Sequence, residues 1–115
     1  MNIIISGIHL KKFPELEDYT REKVERLQKY FPRIQEIQVR LFSEKAHRNQ
    51  KHDFGCEIKV VIPGNDLEIF ESELEMDTAI DKAVDTTRRA LVKHKEKTVS
   101  KKHKGGLEQK GKGSF

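Results

Sequence analysis

Three features of this 115-residue sequence predict an α+β fold, a two-layer sandwich of element order β-α-β-β-β-α with two helices on one face of a four-stranded sheet. Apolar and polar residues alternate over segments in the middle of the chain, the period of half-buried strands. Two further segments repeat their apolar residues at helical spacing, one before those strands and one after them. A single strand lies ahead of the first helix, so that helix must act as a right-handed crossover and make the first two strands parallel neighbours.

Ile3, Ile4 and Ile5, followed by Ser6-Gly7, form a β-branched run closed by a turn, which predicts a first strand that is buried or nearly so. Pro14 suits the first residue of a helix, where its missing N–H would have had no intrahelical partner. Leu16, Thr20, Lys23, Val24, Leu27 and Phe31 then recur at helical spacing beside Tyr19 and Tyr30, until Pro32 stops the run. Ile37, Val39 and Leu41 alternate with Gln38 and Arg40 in a second strand between Ile34 and Phe42. A polar loop follows over 43–52, and Phe54, Cys56, Ile58, Val60 and Ile62 then alternate with Glu57 and Lys59. Pro63-Gly64-Asn65-Asp66 reads as a turn, because proline fixes φ while glycine or asparagine accepts a positive one. Leu67, Ile69 and Phe70 open a fourth strand whose second half, over 71–75, is acidic. The last three strands read as an antiparallel meander. Its outer face is expected to lack the aromatic pair with which an RNA-recognition-motif sheet stacks bases.

The final helix has the clearest period in the chain. Met76, Ala79, Ile80, Ala83, Val84, Thr87 and Leu91 form one continuous stripe that should bury against the sheet. Glu75, Asp77 and Asp81 in its first turns, with Arg89, Lys93 and Lys95 towards its end, complement the helix dipole. That device does not account for Lys101, Lys102, Lys104, Lys110 and Lys112, which are expected beyond the helix end. From Thr98 the apolar period vanishes, which divides the chain into a folded domain over 1–97 and a basic flexible tail over 98–115. A merely solubilising terminus is the plainer explanation of such a tail.

Charge follows the same division. From Arg88 onward ten lysines and arginines face only Glu96 and Glu108, so a chain of net charge +4 is mildly acidic before that point and strongly basic after it. This is the footprint of a protein that grips a polyanion, and nucleic acid is the first partner it implies. The single cysteine, Cys56, has no partner for an internal disulfide and lies in an apolar alternation, as a small buried hydrophobe would. His9, His47, His52, His94 and His103 are scattered without the close spacing of a ligand pair, so no metal is expected. Glu71, Glu73, Glu75 and Asp77 alternate along a strand and read as capping or repelling groups rather than a cation cage. No glycine-rich phosphate loop follows a strand: Gly7 stands alone and Gly105-Gly106 lies in the tail. No apolar run approaches the roughly 20 residues of a membrane span, and no basic segment precedes Ile3 as in a secretory leader. The expectation is a cytoplasmic protein without membrane contact.

Lys23, Arg26, Leu27, Tyr30, Phe31, Arg33 and Ile34, then Glu44-Lys45, then Glu75-Met76, Ala79-Ile80-Asp81, Asp85, Arg89, Leu91 and Lys93-His94-Lys95 carry a resemblance. In these positions the chain resembles the short ribosome hibernation-promoting factors, a family that includes the ribosome-associated inhibitor called protein Y and is also known as the sigma-54 modulation proteins. The resemblance spans residues 1 to about 97. Its most specific piece is the Asp-Met-Tyr-Ala-Ala-Ile-Asp signature, written here Glu75-Met76-Asp77-Thr78-Ala79-Ile80-Asp81. The family's usual threonine cap of the first helix is replaced by Phe13. The resemblance implies a fold like that of a double-stranded-RNA-binding domain. It also implies binding to 16S ribosomal RNA of the small subunit, within the 70S ribosome, where messenger and transfer RNA would sit, so that ribosomes stay inactive under stress or in stationary phase. By the same resemblance the protein needs no cofactor, catalyses nothing and is monomeric off the ribosome. The matching basic positions are Lys23, Arg26, Arg33, Lys45, Arg89, Lys93, His94, Lys95 and Lys97.

The residues support part of that set independently. Arg89, Lys93 and Lys97 are spaced four apart and should share the exposed face of the last helix. Lys23 and Arg26 lie on the first helix and Arg33 just past it, so adjacent helices would gather them into one patch suited to phosphates rather than base edges. The plainer alternative pairs Lys23 and Arg26 with Glu22 and Glu25 on a solvated helix face. Tyr19 and Tyr30 read as core-edge aromatics rather than stacking platforms. A regulator acting through a protein partner is the competing function.

Overall fold

The computed structural model describes residues 1–8, 10, 13–43 and 54–104, with residues 8 and 96–104 described by their backbone alone. β1 (Asn2–Ile8), α1 (Phe13–Glu25), a 3-10 turn (Arg26–Lys29), β2 (Glu36–Ser43), β3 (Phe54–Ile62), β4 (Asn65–Glu73) and α2 (Met76–Lys104) follow one another in the expected order. The sheet order is β1-β2-β3-β4, with β1 parallel to β2 and the other pairs antiparallel. Ile62 pairs with Asn65 across a two-residue connection. Pro63 fixes its own φ there and Gly64 sits at φ 83°, the pattern of a type II turn.

Register places the core. Ile5, Val39, Ile58 and Ile69 pair in one row across all four strands, and Ile3, Ile37, Val60 and Leu67 in the next. The members on the two central strands are fully buried, as are Ala79, Ile80, Ala83 and Leu91 of α2 and Val24 of α1. Both helices therefore cover the same face. Cys56 is buried in this layer, and desolvation pushes its thiol up to about 12.

Four expectations change. β1 is an edge strand, so alternation leaves Ile4 52% exposed on the outer face while Ile3 and Ile5 are half-buried. α1 begins one residue earlier, at Phe13, and its end tightens to 3-10 geometry over Arg26–Lys29, a frequent form of a helix C-terminus. α2 continues past Thr98 to Lys104, because the intervening residues, though polar apart from Val99, include no glycine or proline before Gly105. Residues 105–115 of the expected tail, and the polar loop after Ser43, lie outside the described residues. Lastly, the outer sheet face does carry two aromatics. Phe42 and Phe70 stack at 5.7 Å between centroids and 17° between planes, from strands that β3 separates. Gly55 makes this contact possible, since a Cβ there would stand 2.8 Å from the Phe42 ring and 3.1 Å from that of Phe70.

Thr20 on α1 is fully buried, and its hydroxyl finds no partner among the described residues. Thr87 on α2 is equally buried, but its hydroxyl donates to the Ala83 carbonyl at 2.7 Å. An unpaired buried hydroxyl costs folding free energy that an isosteric methyl does not. Thr20→Val is expected to raise stability by about 1 kcal/mol in urea unfolding. Ile58→Ala, in the centre of the sheet, should lower it by roughly 2–5 kcal/mol.

Candidate nucleic-acid interface

α1 and α2 lie side by side on the sheet, and one carboxylate joins them. The Tyr19 hydroxyl donates to Asp81 Oδ1 at 2.6 Å, and Lys23 Nζ stands 3.6 Å from the same oxygen. Lys23 also lies over the Tyr19 ring, 5.3 Å from its centroid. The hydrogen bond to Asp81, followed by burial, raises the Tyr19 phenol to about 12 from its ordinary 10.0. Each partner repeats along one helix face: Tyr19 and Lys23 are one turn apart on α1, and Asp81 and Asp85 one turn apart on α2.

Asp85 gathers a second set of cations. Arg88 donates to its Oδ1 at 2.8 Å and Arg89 reaches its Oδ2 at 3.0 Å, so both carboxylate oxygens are engaged. The Arg88 hydrogen bond, reinforced by the charge of Arg89, holds the Asp85 carboxyl below its ordinary value. The guanidinium of Arg88 also lies 5.9 Å from the Tyr30 ring centroid. Between the helices is a groove of about 200 Å³ lined by Lys23, Arg26, Leu27, Tyr30, Asp81, Val84, Asp85 and Arg88.

The structure sorts the expected site residues. Lys23, Arg26 and Arg89 gather along the two helices, with Arg26 paired to Glu22 at 3.4 Å. Glu22 is the partner expected for Arg26, whereas Lys23 turns to α2. Arg33 follows the 3-10 turn in an exposed position, and Lys93 and Lys95 are exposed on α2. None of these three makes an ion pair with a described residue. His94 is half-buried, its ring edge-on to Phe31 at 5.5 Å between centroids. Lys97 is described only as helical backbone, and Lys45 lies outside the described residues. Sequence reasoning passed over Arg88, whose place three residues after Asp85 was the available signal.

The acidic strand end has a structural role. Lys82 of α2 binds Glu73 at 2.9 Å and Glu71 at 3.7 Å, and Thr86 Oγ1 donates to Glu71 at 2.9 Å. Among the described residues no three histidines, cysteines or carboxylates gather as metal ligands, and no helix is long and apolar enough to cross a membrane.

Comparison with known proteins bears on the family and the fold. The profile of the family described as Sigma 54 modulation protein / S30EA ribosomal protein matches residues 3–99. A ribosome hibernation promoting factor of Pseudomonas putida is 34% identical over 100 residues, covering 87% of this chain and 92% of that protein. One from Azotobacter vinelandii is 33% identical over 101 residues, covering 88% and 89% respectively. Among solved structures, a ribosomal subunit interface protein from Coxiella burnetii superposes with a TM-score of 0.71 at 21% identity, covering 84% of this chain and 99% of that one. The N-terminal domain of Thermus thermophilus Protein Y gives 0.68 at 27% identity, covering 82% and 99%.

The Tyr19–Asp81 bond makes a spectroscopic prediction. In a Tyr30→Phe background, which leaves one phenol, ultraviolet titration should show that phenol ionising near pH 12, and Asp81→Asn should move the transition back towards 10. The raised folded value means that the bond's stabilising contribution is complete below the unfolded value near 10 and is lost as pH rises through 12.

Proposed function

The chain belongs to the Sigma 54 modulation protein / S30EA ribosomal protein family, and on that premise we propose that it is a ribosome-hibernation factor that associates with the ribosome and inhibits translation. In this reading it lies on 16S ribosomal RNA of the small subunit, in the channel used by messenger and transfer RNA. Its presence keeps idle ribosomes inactive under stress or in stationary phase. It works by occupancy rather than by catalysis, needs no cofactor or small-molecule substrate, is monomeric off the ribosome and resides in the cytoplasm with its target.

The observation that carries the proposal is the gathering of Lys23, Arg26, Arg88 and Arg89 along two adjacent helices, with exposed Arg33, Lys93 and Lys95 on the same layer. Cations gathered on a helical surface neutralise phosphates and position a protein on structured RNA. Such binding releases counterions and depends steeply on salt. The basic residues beyond Thr98 extend the same chemistry and add non-specific grip.

Co-sedimentation with isolated small subunits across a salt series tests the proposal. Neutralising about six phosphates gives a log-affinity against log-salt slope of roughly −4 to −5. Lys93→Glu with Lys97→Glu should weaken binding and make that slope shallower by about 2. Lys59→Glu, on the outer face of the sheet, should alter neither. A shallow slope indifferent to the helical substitutions would turn the assignment towards a protein partner.

A further inference from the structure

The groove between α1 and α2 has a composition that phosphate neutralisation alone does not require. Its floor and walls include the fully buried Leu27, the half-buried Val84 and the ring of Tyr30. Two carboxylates, Asp81 and Asp85, stand among three cations, Lys23, Arg26 and Arg88. Asp85 has both oxygens engaged by Arg88 and Arg89. Asp81 has only Oδ1 engaged, by Tyr19 and Lys23, so Oδ2 remains an acceptor without a partner among the described residues.

We propose that this groove receives one unstacked nucleobase carrying an exocyclic amino group, which donates to Asp81 Oδ2 while the neighbouring phosphates meet Lys23, Arg26 and Arg88. The inference rests on the RNA-binding reading above and adds base selection to it. Size, polarity and charge each narrow the occupant. A volume of about 200 Å³ lies below the roughly 300–1,000 Å³ of drug-sized ligand sites and suits a single flat ring system. The apolar walls, and an aromatic ring already partnered by a guanidinium, suit the faces of a base. A lone metal cation or polyamine would meet three positive side chains, and a lone inorganic anion would meet two negative ones. A nucleotide offers both complements, an amino donor for the carboxylate and phosphates for the cations. Carboxylates accept from the cytosine amino group in this way, whereas uracil presents a carbonyl oxygen at the same position.

Binding of oligocytidylate and oligouridylate of equal length, read by fluorescence anisotropy at one low salt concentration, provides the test because the two probes carry equal phosphate charge. The wild-type protein is expected to prefer oligocytidylate by about tenfold, as one hydrogen bond to a charged acceptor supplies. Asp81→Asn should remove that preference, through tighter oligouridylate binding as well as weaker oligocytidylate binding, since the substitution also removes a negative charge. Asp85→Asn should tighten both probes alike, because it frees two arginines without exposing a new acceptor.

If Asp81 were only a local counter-charge, its substitution would tighten both probes equally. Equal wild-type affinities, a preference that survives Asp81→Asn, or small-subunit binding without binding of either oligonucleotide would each overturn the groove inference while leaving the RNA-binding reading in place. Absence of binding to both oligonucleotides and to small subunits would overturn the two together.

Discussion

The row formed by Ile5, Val39, Ile58 and Ile69 crosses all four strands, and every later feature of the molecule depends on its being covered. A strand can offer only alternate side chains to one face, so this register fixes the face on which water must be excluded. The crossover helix and the returning α2 are the elements available to cover it, and both pack there. Lys82 then ties α2 to β4 through Glu71 and Glu73, while Asp81 ties it to α1 through Tyr19 and Lys23. With their apolar stripes committed to the sheet, the helices have one direction left for their cations. The basic surface is thus the outer side of a layer whose inner side is fixed by packing.

Within that surface the cations are of two kinds. Lys23, Arg26, Arg88 and Arg89 each hold a carboxylate of this chain, whereas Arg33, Lys93 and Lys95 hold none among the described residues. The paired set is exposed enough that its ion pairs contribute little to folding, generally under about 1 kcal/mol each. Their value lies in arrangement. Asp85 keeps two guanidinium groups at one point on α2, where mutual repulsion would otherwise spread them. A phosphate competing for Arg88 or Arg89 meets donors already aimed and gives back only a weak exposed pair. The unpaired cations carry their full charge towards an approaching polyanion and should dominate long-range attraction.

Element order, strand pairing and the buried stripe of α2 were legible in the sequence because each follows from local periodicity and one topological rule. Met76 to Leu91 read as a core helix, and Ile37 to Leu41 as a half-wet strand, for the same reasons that they bury as they do. Contacts between elements were not legible. That Lys23 would leave its own helix for Asp81, that Arg88 would share Asp85 with Arg89, and that Thr20 would bury an unpaired hydroxyl all depend on the mutual rotation of two helices. Periodicity gives only a stripe for each. The end of α2 was misplaced for a simpler reason: apolar period measures burial, and a helix can continue on propensity after burial has ceased. The family signature over Glu75–Asp81 located the start of α2, yet Asp81 gained a specific role only once α1 was set beside it.

The stacked rings of Phe42 and Phe70 raise the question of whether the outer sheet face competes with the helical layer for nucleic acid. Register sends Arg40 and Lys59 to that face together with Glu36, Glu57, Asp66 and Glu68, so among the described residues of the sheet acids outnumber bases there. Arg40 is taken by Glu57 at 3.5 Å and Lys59 by Asp66 at 3.7 Å. A base stacking on Phe70 would bring its phosphates into a field of net negative sign, opposite to the one offered by the helices. The rings also shield the backbone of Gly55, over which they lie and which has no side chain of its own to cover it. The exposed aromatic pair is therefore accounted for by the strand beneath it. Its acidic setting disfavours phosphates there, so of the two described faces the helical layer offers the more favourable field to a polyanion.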